Sequence, residues 1–181
     1  MLDAISTLDT TILHMATVMH GSLFVPIASL ITALGDWRVV LFVVVAALLI
    51  LWLFAQRRTI IALVISVVGS EAMVFLGKLA FHRQRPEGAL IAESTYSFPS
   101  GHATIAIALY MFLAILLARQ RQRQWQGSLI LAFGIVIAIA LGASRIILGV
   151  HYLSDILCGY AIGTLWLVIA LMVERGRITN K

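Results

Sequence analysis

The sequence predicts an all-α integral membrane protein with six transmembrane helices, and two observations carry the prediction. Of its 181 residues, 61% are hydrophobic and only 12% are charged, with a mean hydropathy of +1.03, values outside the range of a soluble domain. The apolar residues also gather into runs close to the roughly 20 residues that a helix needs to cross the hydrocarbon. The length allows about six such runs with short connections, so residues 1–181 read as a single transmembrane domain.

The runs fall at about 11–34, 38–55, 59–80, 103–118, 128–147 and 151–173. The first is the least regular: Met15 to Gly21 is mixed and Pro26 interrupts it, although membrane helices tolerate proline. Leu2, Ile5, Leu8 and Ile12 recur at near-helical spacing, which suits an opening segment lying along the interface. The N-terminal "MLDAISTLDT" carries two acids and no base, unlike a cleaved signal peptide, so the first span is expected to be retained. The single cysteine, Cys158, lies in an apolar run and offers neither a disulfide nor a cysteine-based metal site.

The basic residues set the expected orientation. Arg57 and Arg58, then Arg119, Arg121 and Arg123, then Arg175, Arg177 and Lys181 follow the second, fourth and sixth spans. Six crossings put all of them on one side, which the positive-inside rule makes cytoplasmic. Arg38, Lys78, Arg83, Arg85 and Arg145 collect at the other face, against that rule, and call for another explanation. The longest connection, about 81–99, also lies there, and its length marks it as functional.

Three segments meet at this face. "KLAFHRQRP" (Lys78 to Pro86) ends the third span, with Pro86 stopping the helix. "SFPSGHA" (Ser97 to Ala103) reads as a turn into the fourth span, with Ser100 as N-cap and outward N–H groups that suit an anion. "ASRIILGVHYLSDILCG" (Ala143 to Gly159) joins the last two spans. Taken singly, many of these residues have plainer roles. A terminal Lys78 or Arg38 snorkels to headgroups, His14, His20 and His82 read as polar interface residues, and Glu71 reads as an acid held in a structural hydrogen bond or ion pair.

Their combination says more. His151 and Asp155 are four apart and share a helix face. Asp155 can therefore accept from one ring nitrogen and leave the other as nucleophile or base. A second histidine, His102, follows the Gly101 turn, and cations stand on the same face. Histidines among fixed cations and free N–H groups suit a transferring phosphoryl group. A metal ion fits less well, because the lysine and arginines would repel it.

Lys78 followed by Arg85-Pro86, then Pro99-Ser100-Gly101-His102, then Ser144-Arg145 with His151 and Asp155, resemble the three-part signature of the membrane-bound type 2 phosphatidic acid phosphatase family. Every signature position matches in order and spacing, and the six-helix plan covers essentially the whole chain. The resemblance implies that His151 attacks phosphorus to form a phosphohistidine and that Asp155 orients it. His102 would protonate the leaving oxygen and then activate water. Lys78, Arg85 and Arg145, with the Ser100 hydroxyl and the Gly101 N–H, would clamp the phosphoryl oxygens, and Ser144 would serve packing. The family works without a metal or other cofactor. Arg83, Glu87, Glu93 and Tyr96 match no signature position.

The expected substrate is a phosphate or diphosphate monoester of a membrane lipid, with undecaprenyl diphosphate and phosphatidylglycerol phosphate favoured and phosphatidic acid and lipid A phosphates left open. The active site would face the outside of a bacterial-type inner membrane, with membrane lipids and no nucleic acid as partners. Phosphotransfer to another lipid would use the same site, whereas a transporter would need paired broken helices or repeated halves, which the sequence does not display. A cysteine placed at Ala89 should react with an impermeant thiol reagent on intact spheroplasts and one at Gln122 should not; the reverse pattern would put the site in the cytoplasm.

Overall fold

The computed structural model describes residues 2–176, with side chains from residue 5 onward. The helices in chain order are α1 (Leu2–Val18), α2 (Phe24–Thr32) with a short 3₁₀ turn Ala33–Gly35, α3 (Trp37–Leu53), α4 (Arg57–Phe81), α5 (Gly101–Ile105), a π-helical segment Ala106–Met111, α6 (Phe112–Arg119), α7 (Gln124–Ile147) and α8 (Leu153–Arg175). Four helical stretches among the described residues are long and apolar enough to cross a membrane: 57–81, 101–119, 124–147 and 153–175. The pair 24–35 and 37–53, bent by 46°, makes a fifth if it is counted as one span.

The count of six crossings is therefore not confirmed, and the difference lies in the first two runs, since α3 qualifies only together with α2. The predicted run 11–34 is divided by a turn around Gly21, whose φ is +93°, into α1 and α2. α1 packs against α7 and α8. Its residues meet the site end of the bundle: Asp9 accepts from the Ser154 N–H at 2.9 Å, and His20, just beyond the helix, bonds the Ile147 carbonyl at 3.0 Å. The mixed polarity of Met15 to Gly21 suits this position better than hydrocarbon. Arg57, Arg58, Arg119, Arg121, Arg123 and Arg175 lie at or near the opposite ends of the spans, where Arg119 pairs with Glu174 at 2.5 Å. Arg177 and Lys181 lie outside the described residues.

The core joins α3, α4, α5–α6 and α8. Ala62, Leu63, Ile105, Leu109, Phe112, Leu167 and Ala170 form one buried cluster. Small residues and polar cross-links let the helices approach, as is common where lipid removes a hydrophobic drive between them. Ser66 donates to the Ala108 carbonyl of the π-helical segment at 2.6 Å. Large apolar side chains such as Phe42, Phe75, Phe133 and Met172 point outward, as lipid-facing positions require.

α8 passes directly beneath the turn that starts α5. A Cβ at Gly159 would stand 2.6 Å from the Ser100 carbonyl oxygen and 3.0 Å from the Ala103 Cβ, so only glycine permits this approach. Gly159→Ala is expected to lower stability by about 1–3 kcal/mol, the usual cost of overpacking a close contact, seen as a reduced thermal midpoint of the detergent-solubilised protein. An unchanged midpoint would show that α5 and α8 can separate freely at this level.

Candidate active site

Three chain breaks at one end of the bundle supply the polar residues: the loop after α4, the turn into α5 and the junction of α7 and α8. Helix α4 stops at His82, which takes the left-handed conformation (φ 45°), and Pro86 prevents its resumption. The loop that follows is tied together, with the Ser97 N–H donating to the Arg83 carbonyl at 2.9 Å and the His82 and Tyr96 rings edge-to-face at 4.6 Å. Ser100 precedes α5 in extended conformation, and its N–H donates to the Asp155 carbonyl at 3.1 Å.

His151 and Asp155 meet, but not along a helix face as their spacing predicts: His151 precedes α8, which begins at Leu153, and Asp155 reaches back to it from the first turn. The Nδ1 atom of His151 is 3.3 Å from Asp155 Oδ2, and the same oxygen accepts from the Tyr152 N–H at 2.9 Å. On the other side of the ring, Nε2 is 3.3 Å from Arg85 Nη1. A guanidinium can only donate and a carboxylate can only accept, so both neighbours select the tautomer with hydrogen on Nδ1 and a lone pair on Nε2. Burial, reinforced by the charges of Arg85 and Arg145 and opposed by the Asp155 hydrogen bond, pushes the imidazole down to about 4. His151 is thus neutral at pH 7.

Arg85 is fixed by the Val150 and Thr95 carbonyls, both at 2.8 Å. Lys78 donates to Thr95 Oγ1 at 2.8 Å. Arg145, 1% exposed, donates through Nη1 to Thr32 Oγ1 at 2.7 Å, and the same nitrogen is 3.3 Å from His102 Nε2. By the argument used for His151, Nε2 of His102 is an acceptor in this state. Gly35, at the break between α2 and α3, lies so close to His102 that a Cβ would overlap the ring. The broken helix therefore both packs the second histidine and, through Thr32, aims Arg145.

Two buried polar atoms here have no protein partner: Ser100 Oγ and Arg145 Nε. Such orphans are costly unless something else satisfies them. A cavity of about 1070 Å³ reaches Arg145 and the Gly101 that follows Ser100, and is lined by Lys78, Arg85, His102, Arg145 and His151 on its polar side. Val40, Leu41, Val44 and Val67, from α3 and α4, line its apolar side.

Every residue of the three sequence motifs is thus brought to one end of the bundle. Ser144 is 1% exposed and bonds the Leu141 carbonyl at 2.7 Å, in keeping with packing. Glu71 departs from expectation: among the described residues it has no hydrogen bond or ion pair, and it lines the cavity.

Three other residues join the site: Glu93 and Arg83, which match no signature position, and Asp9, which the sequence did not single out. Glu93 pairs with Arg145 and stands 3.7 Å from Arg85. Burial works against its charge, but the Arg145 hydrogen bond and the two guanidinium charges hold its carboxyl below the usual range. Asp9 and Arg83 attach to the far side of Asp155. Their only sequence signal was the excess of basic residues at this face, which implies acids nearby to balance them.

Fold and site together define a class: a helical membrane protein with two histidines in a cation-lined pocket at one end of the bundle. The chain belongs to the PAP2 superfamily, whose family model matches residues 59–178, a range that includes Lys78, Arg85, Ser100, Gly101, His102, Arg145, His151 and Asp155. It is 34% identical over 85 residues to phosphatidylglycerophosphatase B of Bacillus subtilis, covering 46% of this chain and 42% of that protein. It is 35% identical over 93 residues to lipid A 1-phosphatase of Porphyromonas gingivalis, covering 51% of this chain and 19% of the relative. The chain thus matches less than half the length of either relative.

The fold is similar to the crystal structure of a transmembrane PAP2-type phosphatidylglycerolphosphate phosphatase from Bacillus subtilis, with a TM-score of 0.88 at 24% identity over 98% of this chain and 90% of that one. Aquifex aeolicus LpxE gives a TM-score of 0.70 at 24% identity over 91% and 94% of the two chains. At these identities the likeness is one of fold.

Glu93 places a carboxylate on the same guanidinium groups that an anionic ligand would use. Glu93→Gln should therefore bind orthovanadate, a phosphate mimic, about tenfold more tightly in calorimetric titration, the order expected when a competing charged hydrogen bond of about 1.5 kcal/mol is lost. Weaker binding in the variant would show that Glu93 supports the anion site and does not compete for it.

Proposed function

We propose that the protein is a lipid phosphatase that hydrolyses a phosphate or diphosphate monoester of a membrane lipid through a phosphohistidine. One observation carries the reading: the lone pair of His151 Nε2 is fixed by Asp155 and Arg85 at a cavity lined by Lys78, Arg85 and Arg145, the last with an unpaired Nε. Phosphoryl transfer needs little beyond such positioning and charge stabilisation.

In the proposed reaction the phosphoryl oxygens displace Glu93 and bind Lys78, Arg85, Arg145, the Ser100 hydroxyl and the Gly101 N–H. As the phosphoryl group draws Arg145 away, His102 Nε2 takes up a proton from solvent or from the monoprotonated phosphate; His151 Nε2 attacks phosphorus and the bond to the lipid oxygen breaks, with His102 passing that proton to the oxygen. Asp155 balances the positive charge that the imidazole acquires. His102, unprotonated again, then takes a proton from water as the hydroxide attacks phosphorus and the P–N bond breaks. The resting contact from Arg145 to His102 suits this sequence, because a phosphoryl group that engages Arg145 frees Nε2 to carry the proton.

The apolar half of the cavity, between α3 and α4, would take the start of a lipid tail, which favours a long-chain ester over a soluble one. Phosphatidylglycerol phosphate and undecaprenyl diphosphate are the substrates we favour. The basic ends of the spans opposite the site support an active site facing away from the cytoplasm, in a bacterial inner membrane.

The test is phosphate release from a panel of lipid phosphates by the protein purified in detergent with a chelator present. His151→Ala should lose at least about a thousandfold in rate, the order for removing a covalent nucleophile, and His102→Ala should lose about a hundredfold, as for a general acid. With the substrate's own ionisation corrected for, the free-enzyme acid limb assigned to His151 should lie near pH 4, since protonation there removes the nucleophile. Full activity in both variants would overturn the mechanism, and strict metal dependence would contradict a clamp built only from cationic side chains and N–H groups.

A further inference from the structure

Behind His151 and Asp155 lie two charged residues with no part in the proposed reaction, Asp9 and Arg83. Asp9 is only 2% exposed, although it belongs to α1, outside the family match at 59–178. A buried carboxylate is costly unless donors surround it, and Asp9 has them: Ser154 N at 2.9 Å, Ser154 Oγ at 2.6 Å and Arg83 Nη2 at 2.7 Å. Arg83 reaches the other way with Nη1, 2.6 Å from both Asp155 Oδ1 and Ser154 Oγ. Its guanidinium lies 4.1 Å from the Tyr152 ring centroid, which fixes its plane. Asp155 in turn holds His151. Four groups of alternating charge preference are thus linked without a gap.

We propose that Asp9 and Arg83 are positioning residues for His151: a relay from Asp9 through Arg83 to Asp155 sets the orientation of the catalytic carboxylate and the negative charge it presents to the imidazole. The proposal rests on the phosphohistidine reading. Arg83 draws charge from Asp155, and Asp9 offsets Arg83. Without Asp9 the unopposed guanidinium weakens Asp155 as partner of a cationic imidazole. Without Arg83 the carboxylate acts on His151 at full strength but loses a fixed anchor. The other ionisable groups that face His151 are Arg85 from the long loop, Arg145 from α7 and His102 from α5, and these substitutions leave them in place. The relay also gives α1 a function: it is strapped across the site end by the residue that completes the chain of charges.

Each removal predicts a shift of opposite sign. Asp9→Asn should lower kcat about tenfold, the low end for groups that orient a histidine from one step beyond its direct partner, with KM within about twofold. It should move the acid limb of kcat/KM to lower pH. Arg83→Gln should lose more in kcat and move the limb to higher pH, and Arg83→Lys should return the limb toward wild type. A purely structural role would reduce the active fraction and leave the limb in place. The same shifts are read without turnover by ¹⁵N NMR titration of His151 in detergent. A wild-type protein that releases phosphate from no lipid phosphate would overturn the phosphatase reading, and the NMR titration would still decide the relay. If Asp9→Asn does not fold, the Arg83 pair carries the test. An unmoved limb with unchanged kcat, or shifts of the same sign, would overturn the relay.

Discussion

The carboxylate of Asp155, wholly shielded from solvent, is the constraint on which the rest of the site depends. Removing the partners of such a group leaves an uncompensated buried charge, at a cost of about 3–5 kcal/mol, so each surrounding element is held to its place. Its side chain accepts from His151, from the Tyr152 N–H and from Arg83. Its backbone carbonyl accepts from the Ser100 N–H, which fixes the turn that leads to His102. Both histidines are therefore referenced to one residue. The approach that makes this possible is the passage of α8 at Gly159 beneath the Ser100 carbonyl.

Around this point the resting site is neutralised from within. Arg145 is almost fully buried and is held by Thr32 and Glu93, while Arg85 is held mainly by carbonyl groups. These contacts differ in kind. The carbonyls and Thr32 belong to packed elements, whereas Glu93 rides on the long loop with its side chain 27% exposed. In the proposed reaction an entering anion displaces this carboxylate and keeps the other contacts, so that both guanidinium groups stay aimed at it. Arg145 Nε has no partner in the resting site, and a tetrahedral anion has more acceptor oxygens than the carboxylate to offer it.

The motifs were legible because their information is local. A four-residue spacing marks His151 and Asp155 as partners, although they meet across the N-terminus of α8 and not along a helix face, and proline, serine and glycine announce the turn before His102. The long apolar stretches of α4, α7 and α8 were equally plain, since length and hydropathy alone separate them from soluble helices. The first run was less plain because a hydropathy window averages over a break: the turn around Gly21 divides it, and α2 continues instead toward α3. Arg83 and Glu93 were visible as charges without a task. Their partners lie 72 and 52 residues away, and periodicity carries no information about contacts at that separation.

The bend between α2 and α3 shows why such a break is tolerated. Irregular backbone at membrane depth survives only where protein or a cavity satisfies it, and Asp36 answers part of the need by accepting from the Arg38 N–H at 2.9 Å. The 46° change of direction also lets one broken helix serve both halves of the cavity. Before the bend, Thr32 reaches Arg145 and the Gly35 backbone meets His102. After it, Val40 and Val44 line the apolar side. For a lipid ester, whose charged phosphate and apolar tail are joined within a few bonds, that adjacency is the geometric requirement, and a single break in one span meets it.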